Sequence, residues 1–128
     1  MTVVALVVAV AAFARATPRP TYTAAEKAAA GEKLCNQYKL AGRAAHVETR
    51  ADGDTALARI SMVNGALILE TAASDPAIDS KYREAARELA DSYRTMAASG
   101  SIGGPDEYQD LINITNAKLS TMKSLCGD

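Results

Sequence analysis

The side chains of this sequence that could carry chemistry are two cysteines, a single histidine and a group of tyrosines. Cys35 and Cys126 lie far apart in the chain and lack the Cys-x-x-Cys spacing that lowers the pKa of one thiol. We therefore interpret them as a structural disulfide, which is typical of an oxidising compartment, rather than as thiol catalysts. A disulfide places the folded part outside the cytoplasm.

The histidine and the acidic residues do not form a recognisable reaction centre. A catalytic triad built on His46 would need a nucleophilic Ser, Thr or Cys and a carboxylate that orients the imidazole. The sequence places no such motif near His46. Asp52 and Asp54 are two carboxylates without the remaining ligands of a calcium loop, and a turn followed by a helix N-cap accounts for them. The sequence predicts no catalytic residue, no metal site and no cofactor, and hence a protein that is not an enzyme.

Charge and composition narrow the classes of partner and fold. The formal net charge is -1, with 14 basic and 15 acidic residues, so nucleic acid is not an expected partner. Trp is absent and the single Phe, Phe13, lies near the N-terminus. A core of Leu, Ile, Val, Met, Tyr and closely packed Ala favours helices over strands.

The N-terminal part is distinct from the rest. Residues 3–14 are uninterrupted by charge and would span about 18 Å as a helix, less than the roughly 30 Å of a bilayer core. We interpret residues 1–16 as an export signal or partial membrane anchor, which attaches the protein to the membrane if it is not cleaved. An apolar helix packed on the body is the alternative. Residues 17–22, with two prolines, form a linker, and 23–128 form one domain.

Four helices are predicted in this domain. Thr23 and Glu26 match a capping box, Asp54 is an N-cap for a helix over 55–73, Asp75-Pro76 opens a third helix, and Pro105 opens a fourth. Apolar residues surround much of the second helix, which should therefore be the most buried; they are Leu57, Ile60, Met62, Val63, Leu67, Ile68 and Leu69.

Short connections between these helices indicate an antiparallel up-down four-helix bundle, an all-α fold in which the first helix lies beside the last. The beginning of the first helix is then near the end of the fourth. This topology brings Cys35 and Cys126 together.

Four tyrosines fall on inward faces of the predicted helices, namely Tyr38, Tyr82, Tyr93 and Tyr108. A buried phenol usually needs a hydrogen-bond partner. Either these hydroxyls bond to one another and to Asn64 or Thr115, or the four rings line a small ligand cavity between the helices.

Several segments resemble one group of known proteins. They are residues 33–38 (KLCNQY), 56–60 (ALARI), 64–66 (NGA), 116–118 (NAK) and 122–127 (MKSLCG). Over 23–128 the chain resembles the extracytoplasmic domain of alanine-rich, membrane-anchored or secreted mycobacterial proteins of unknown function. The resemblance supports the location and the paired cysteines and implies no catalytic residue.

From these observations we expect a non-enzymatic structural or protein-interaction module of the cell envelope, whose partner is an envelope protein. The first alternative is a carrier or binding protein for a small apolar ligand held between the helices. The second is a helical hydrolase or lyase of unrecognised type.

Overall fold

The computed structural model describes residues 18–127 and contains four antiparallel helices. They are α1 (Ala24–Glu48), α2 (Thr55–Ala73), α3 (Ser80–Ser99) and α4 (Pro105–Cys126). No strand occurs within 18–127. The segment expected to be a signal or anchor, residues 1–16, lies outside the described residues, as does residue 17 of the linker. The up-down four-helix bundle predicted from the sequence is confirmed.

Local sequence signals set most of the helix ends. The Thr23 hydroxyl accepts a hydrogen bond from the Glu26 amide while the Glu26 carboxylate accepts one from the Thr23 amide, which completes the capping box. This pairing lowers the pKa of Glu26. Asp54 caps α2 through the amides of Ala56 and Leu57.

The predicted start of the third helix is wrong by one turn. Asp75 accepts a hydrogen bond from the Ala77 amide, so it organises a turn, and Asp79 is the N-cap of α3. Arg83 stabilises this turn by donating to the carbonyls of Ala73 and Ile78. An Asp-Pro pair is compatible with a turn as well as with a helix start. Because Asp79 caps α3, the Asp75-Pro76 pair forms the turn before it.

Consecutive helices form the main contacts, and α1 touches α3 and α4 at few positions. Alanines fill much of the core, together with four large side chains that have no significant exposure: Leu34, Leu69, Leu89 and Met122. Gly65 lets three helices approach closely, because a Cβ there would lie 3.3 Å from both the Ala41 Cβ and the Tyr93 ring.

The prediction that α2 is the most buried helix is confirmed, because seven of its 19 residues are buried, the largest share among the four helices. One side of α2 is nevertheless exposed. Leu67 is 61% exposed and Ile60 is 54% exposed, whereas Leu69 is fully buried. The apolar residues of α2 exceed what α1 and α3 can cover, because α4 packs on the far side of α3 and not on α2. One face of α2 is therefore left without a neighbour among the described residues.

Candidate functional site

The contact between α1 and α4 is tight at one end and open at the other. The Cys35–Cys126 disulfide joins the helices with a Cα–Cα distance of 5.3 Å, which confirms the predicted pairing. Next to it, the Tyr38 hydroxyl donates to the Leu119 carbonyl oxygen at 3.4 Å. Beyond this point a cleft of about 360 Å³ lies between the C-terminal half of α1 and the N-terminal half of α4.

Small residues on α1 create this cleft. Gly42 and Ala45 lie on the inward stripe of α1 and line the opening. A Cβ added at Gly42 would meet no atom within 4 Å. The space that a large side chain at this position would fill in a closed bundle is therefore empty of protein atoms.

The floor of the cleft is apolar and flexible in shape. Met62 from α2 and Met96 from α3 form it, and Ile112 and Leu119 from α4 form one wall. Methionine side chains adapt to differently shaped occupants because they are unbranched and have several rotatable bonds.

Two hydroxyls contribute polar groups at the floor. Thr115 is buried, and its Oγ1 donates to the Met96 sulfur at 3.0 Å. Tyr93 is 3% exposed, and burial, with a smaller effect of the nearby Tyr38 hydroxyl, raises the pKa of Tyr93 to about 12.

A second cavity of about 370 Å³ adjoins the cleft and shares Met62, Met96 and Tyr108 with it. It extends toward the α3–α4 loop, where the Arg59 guanidinium donates to the Gly100 carbonyl oxygen. The two shared methionines and the half-buried Tyr108 ring separate the spaces.

The structure separates the four tyrosines that the sequence grouped. Tyr93 and Tyr108 line the cleft, whereas Tyr38 and Tyr82 lie toward the disulfide end. Tyr82 donates to the Leu125 carbonyl oxygen at 3.1 Å. The hydroxyls of Tyr38 and Tyr82 thus bond to backbone carbonyls of α4, and neither Asn64 nor Thr115 is their partner.

The cleft residues that the sequence analysis did not select are mainly Gly42, Met62 and Met96. A glycine on the inward stripe of a long helix was the available signal, because it removes a side chain where one is expected. The methionines carried no signal of their own, since a methionine at helical spacing is ordinarily core.

Other reactive groups do not converge within residues 18–127. His46 is exposed at the rim of the cleft, and both cysteines are in the disulfide. No three His, Cys, Asp or Glu side chains of this part of the chain lie close enough together to hold a metal ion.

A separate surface feature is an exposed apolar face on α1 and α2. Its six large side chains are each between 46% and 61% exposed; they are Leu40, Val47, Leu57, Ile60, Val63 and Leu67. Within the described residues, α2 is also the one helix whose length and hydropathy would allow it to cross a bilayer. Core helices of soluble proteins share that property, and the opposite side of α2 is packed in the bundle.

The fold and cleft define an all-α, disulfide-linked four-helix bundle. Comparison with known proteins found no matching family model, no similar curated protein and no similar solved structure.

Proposed function

We propose that this chain is an extracytoplasmic binding protein that carries a small apolar molecule in the cleft between α1 and α4. The observation that carries the proposal is the cleft itself, about 360 Å³ with an apolar floor. Ligand sites of bundles lie between helices, and volumes of about 300–1,000 Å³ are usual for small-molecule sites. This cleft is at the lower end of that range, which favours a small ligand.

The arrangement of the helices supports binding without unfolding. The disulfide holds α1 and α4 together at one end, while Gly42 and Ala45 leave the other end without large side chains. An apolar occupant would cover the partly exposed wall side chains Ile112 and Leu119, and burial of apolar surface is worth about 25 cal/mol per Å². The disulfide also supports an oxidising location, which agrees with a signal or anchor at residues 1–16.

The test is to fill the cleft from Gly42 and to compare it with Gly31. Both glycines are in α1, both are partly exposed, and a Cβ at either would meet no atom within 4 Å. Leucine improves helix propensity equally at both positions, but Gly31 does not line the cleft. Binding of the neutral fluorophore N-phenyl-1-naphthylamine is measured for the wild type, Gly42→Leu and Gly31→Leu.

We expect Gly42→Leu to weaken binding of the fluorophore at least tenfold and Gly31→Leu to bind as the wild type does. Equal binding by all three proteins would place the fluorophore elsewhere and contradict the proposal. Melting temperatures of both variants at or above that of the wild type confirm that the fold is retained.

The exposed apolar face supports a second candidate, the structural or protein-interaction module expected from the sequence. We propose a second copy of this chain as its occupant. The face is two helices wide, about 20 Å, and as long as α2, about 29 Å. Two such faces would bury at most about 1,200 Å² in total, near the lower limit for a stable interface, because the exposed Arg43 stands between Leu40 and Val47 on the α1 side.

The spacing along α2 also suits a twofold pairing. In an antiparallel pair centred near Met62, Leu57 of one copy meets Leu67 of the other, and no charged residue lies on this stripe between them. Sedimentation equilibrium tests the pairing. Ile60→Lys should convert a dimer to a monomer, and Glu84→Lys, an exposed change on α3, should not. A wild-type monomer at high micromolar concentration would exclude the dimer.

A further inference from the structure

We infer that the occupant of the cleft is an uncharged molecule with an apolar body and one hydrogen-bond acceptor, which accepts from the Tyr93 hydroxyl. Ketones, aldehydes, esters and ethers are examples of this class. The inference rests on the proposed ligand cleft. The proposal concerns the chemical class of ligand and assigns Tyr93 as the residue that selects it.

The position of the Tyr93 ring is fixed by close packing. Its Cε2 and Cδ2 atoms lie 3.3 and 3.4 Å from where a Cβ on Gly65 would be, so α2 contacts the ring directly. The ring belongs to the buried core of the bundle and also lines the cleft. A donor held on a packed ring needs little ordering when a ligand binds.

The Tyr93 hydroxyl forms no hydrogen bond with any residue of the described part of the chain. No fully enclosed side-chain oxygen or nitrogen in that part lacks a partner, so this oxygen keeps some accessible surface, and Tyr93 is one of the residues that line the cleft. The other floor hydroxyl, that of Thr115, already donates to Met96. Tyr108 is only partly buried.

A hydroxyl in this position discriminates between ligands. Covering it with an apolar molecule removes its remaining contact with water and leaves a buried polar group without a partner, which is unfavourable. A ligand with a correctly placed acceptor avoids that cost.

Charged ligands are disfavoured by what surrounds the cleft. No Lys, Arg, Asp or Glu lines it, and His46 stands at its exposed rim. A carboxylate or ammonium group inside would lose its hydration without gaining an ion pair. The nearest cationic group in the adjoining cavity, Arg59, is engaged with the Gly100 carbonyl oxygen.

The experiment uses two ligands of the same shape. Acetophenone and 2-phenylpropene differ only in the replacement of the carbonyl oxygen by a methylene group, and their affinities are measured by displacement of N-phenyl-1-naphthylamine. The proteins are the wild type, Tyr93→Phe and the matched control Tyr82→Phe, whose hydroxyl bonds to the Leu125 carbonyl at the disulfide end.

We expect Tyr93→Phe to weaken acetophenone binding about 3–10-fold, the equivalent of one hydrogen bond, and to leave 2-phenylpropene binding unchanged or tighter. Tyr82→Phe should change neither. For each ligand, the affinity for a variant is compared with the affinity of the same ligand for the wild type. The hydration of the free ligand is the same in both measurements and therefore cancels.

The outcomes separate this inference from the proposed function. If both ligands compete for the cleft and Tyr93→Phe affects them equally, the acceptor class is wrong and the ligand cleft stands. If neither ligand competes and Gly42→Leu leaves fluorophore binding intact, the cleft itself is not a binding site. Tight binding of benzoate relative to acetophenone would also overturn the uncharged class.

Discussion

Removal of the disulfide should destabilise this bundle by several kcal/mol. The Cys35–Cys126 bridge closes a loop with a sequence separation of 91. The chain-entropy relation, with a constant of about 2.1 and a term of 1.5R ln n in cal/mol/K, gives about 15.5 cal/mol/K, or about 4.6 kcal/mol. This is comparable to the total free energy of unfolding of a small domain.

The assay is thermal unfolding followed by far-ultraviolet circular dichroism, on the double variant Cys35→Ala/Cys126→Ala and on the reduced wild-type chain. For a domain of about this size, each kcal/mol corresponds to roughly 4 °C, so we expect the melting temperature to fall by about 15–20 °C. Helix content at low temperature should be retained, because α4 still packs on α3.

The reduced chain is the control for packing. If the double variant melts early but the reduced wild type does not, the loss comes from the missing sulfur atoms and not from the cross-link. A fall of less than about 3 °C in both would refute the reasoning, since it would mean that the denatured chain gains little freedom when the loop is opened. Hydrogen exchange provides a second readout, in which the C-terminal turns of α4 should lose protection first.

Three further predictions concern single residues. Leu69→Ala should lower the free energy of unfolding, measured with urea, by about 2–5 kcal/mol. Leu67→Ala, two residues away but 61% exposed, should lower it by less than about 0.5 kcal/mol. Equal losses would contradict the orientation of α2. Gly65→Leu should destabilise by about 1–3 kcal/mol because no room exists for its side chain, while Gly31→Leu should not lower the melting temperature. Folding favours the neutral form of the Tyr93 phenol, whose pKa is raised to about 12. Its contribution to stability is therefore fully present below about pH 10 and is lost as the pH rises through about 12, by roughly 3 kcal/mol at most. Subtracting the phenolate absorbance of Tyr93→Phe from that of the wild type isolates the titration of Tyr93. The midpoint of this difference should lie near pH 12, and a midpoint near pH 10 would mean that the ring is not buried.

Helix ends were predictable where a single local signal decided them. The capping box at Thr23, the N-cap at Asp54 and Pro105 in the first turn of α4 all rest on contacts within a few residues. Gly127 ends α4 with φ of 67°, in the left-handed region that glycine adopts readily. The predicted start of the third helix was wrong because Asp75 and Asp79 are both suitable N-cap residues. Only the turn around them determines which one caps the helix.

Which apolar residues of α2 are exposed was not predictable, for a different reason. Leu67 and Leu69 look alike in the sequence, and their exposure depends on which neighbours a four-helix arrangement supplies. The cleft likewise depends on the divergence of α1 from α4, a distance between elements far apart in the chain. Gly42 leaves the inward stripe of α1 without a side chain at its position. Only the packing showed that Met62 and Met96 do not fill the resulting space.

The order of contacts along the chain has a consequence for how the protein matures. Each helix packs mainly on the one before it, so the first three helices can assemble in sequence, as expected for a topology of mostly local contacts. The last helix meets the first chiefly at the two cysteines. We therefore expect oxidation of this pair to follow assembly of the rest of the bundle, so that a closed bond would mark a chain that has finished folding.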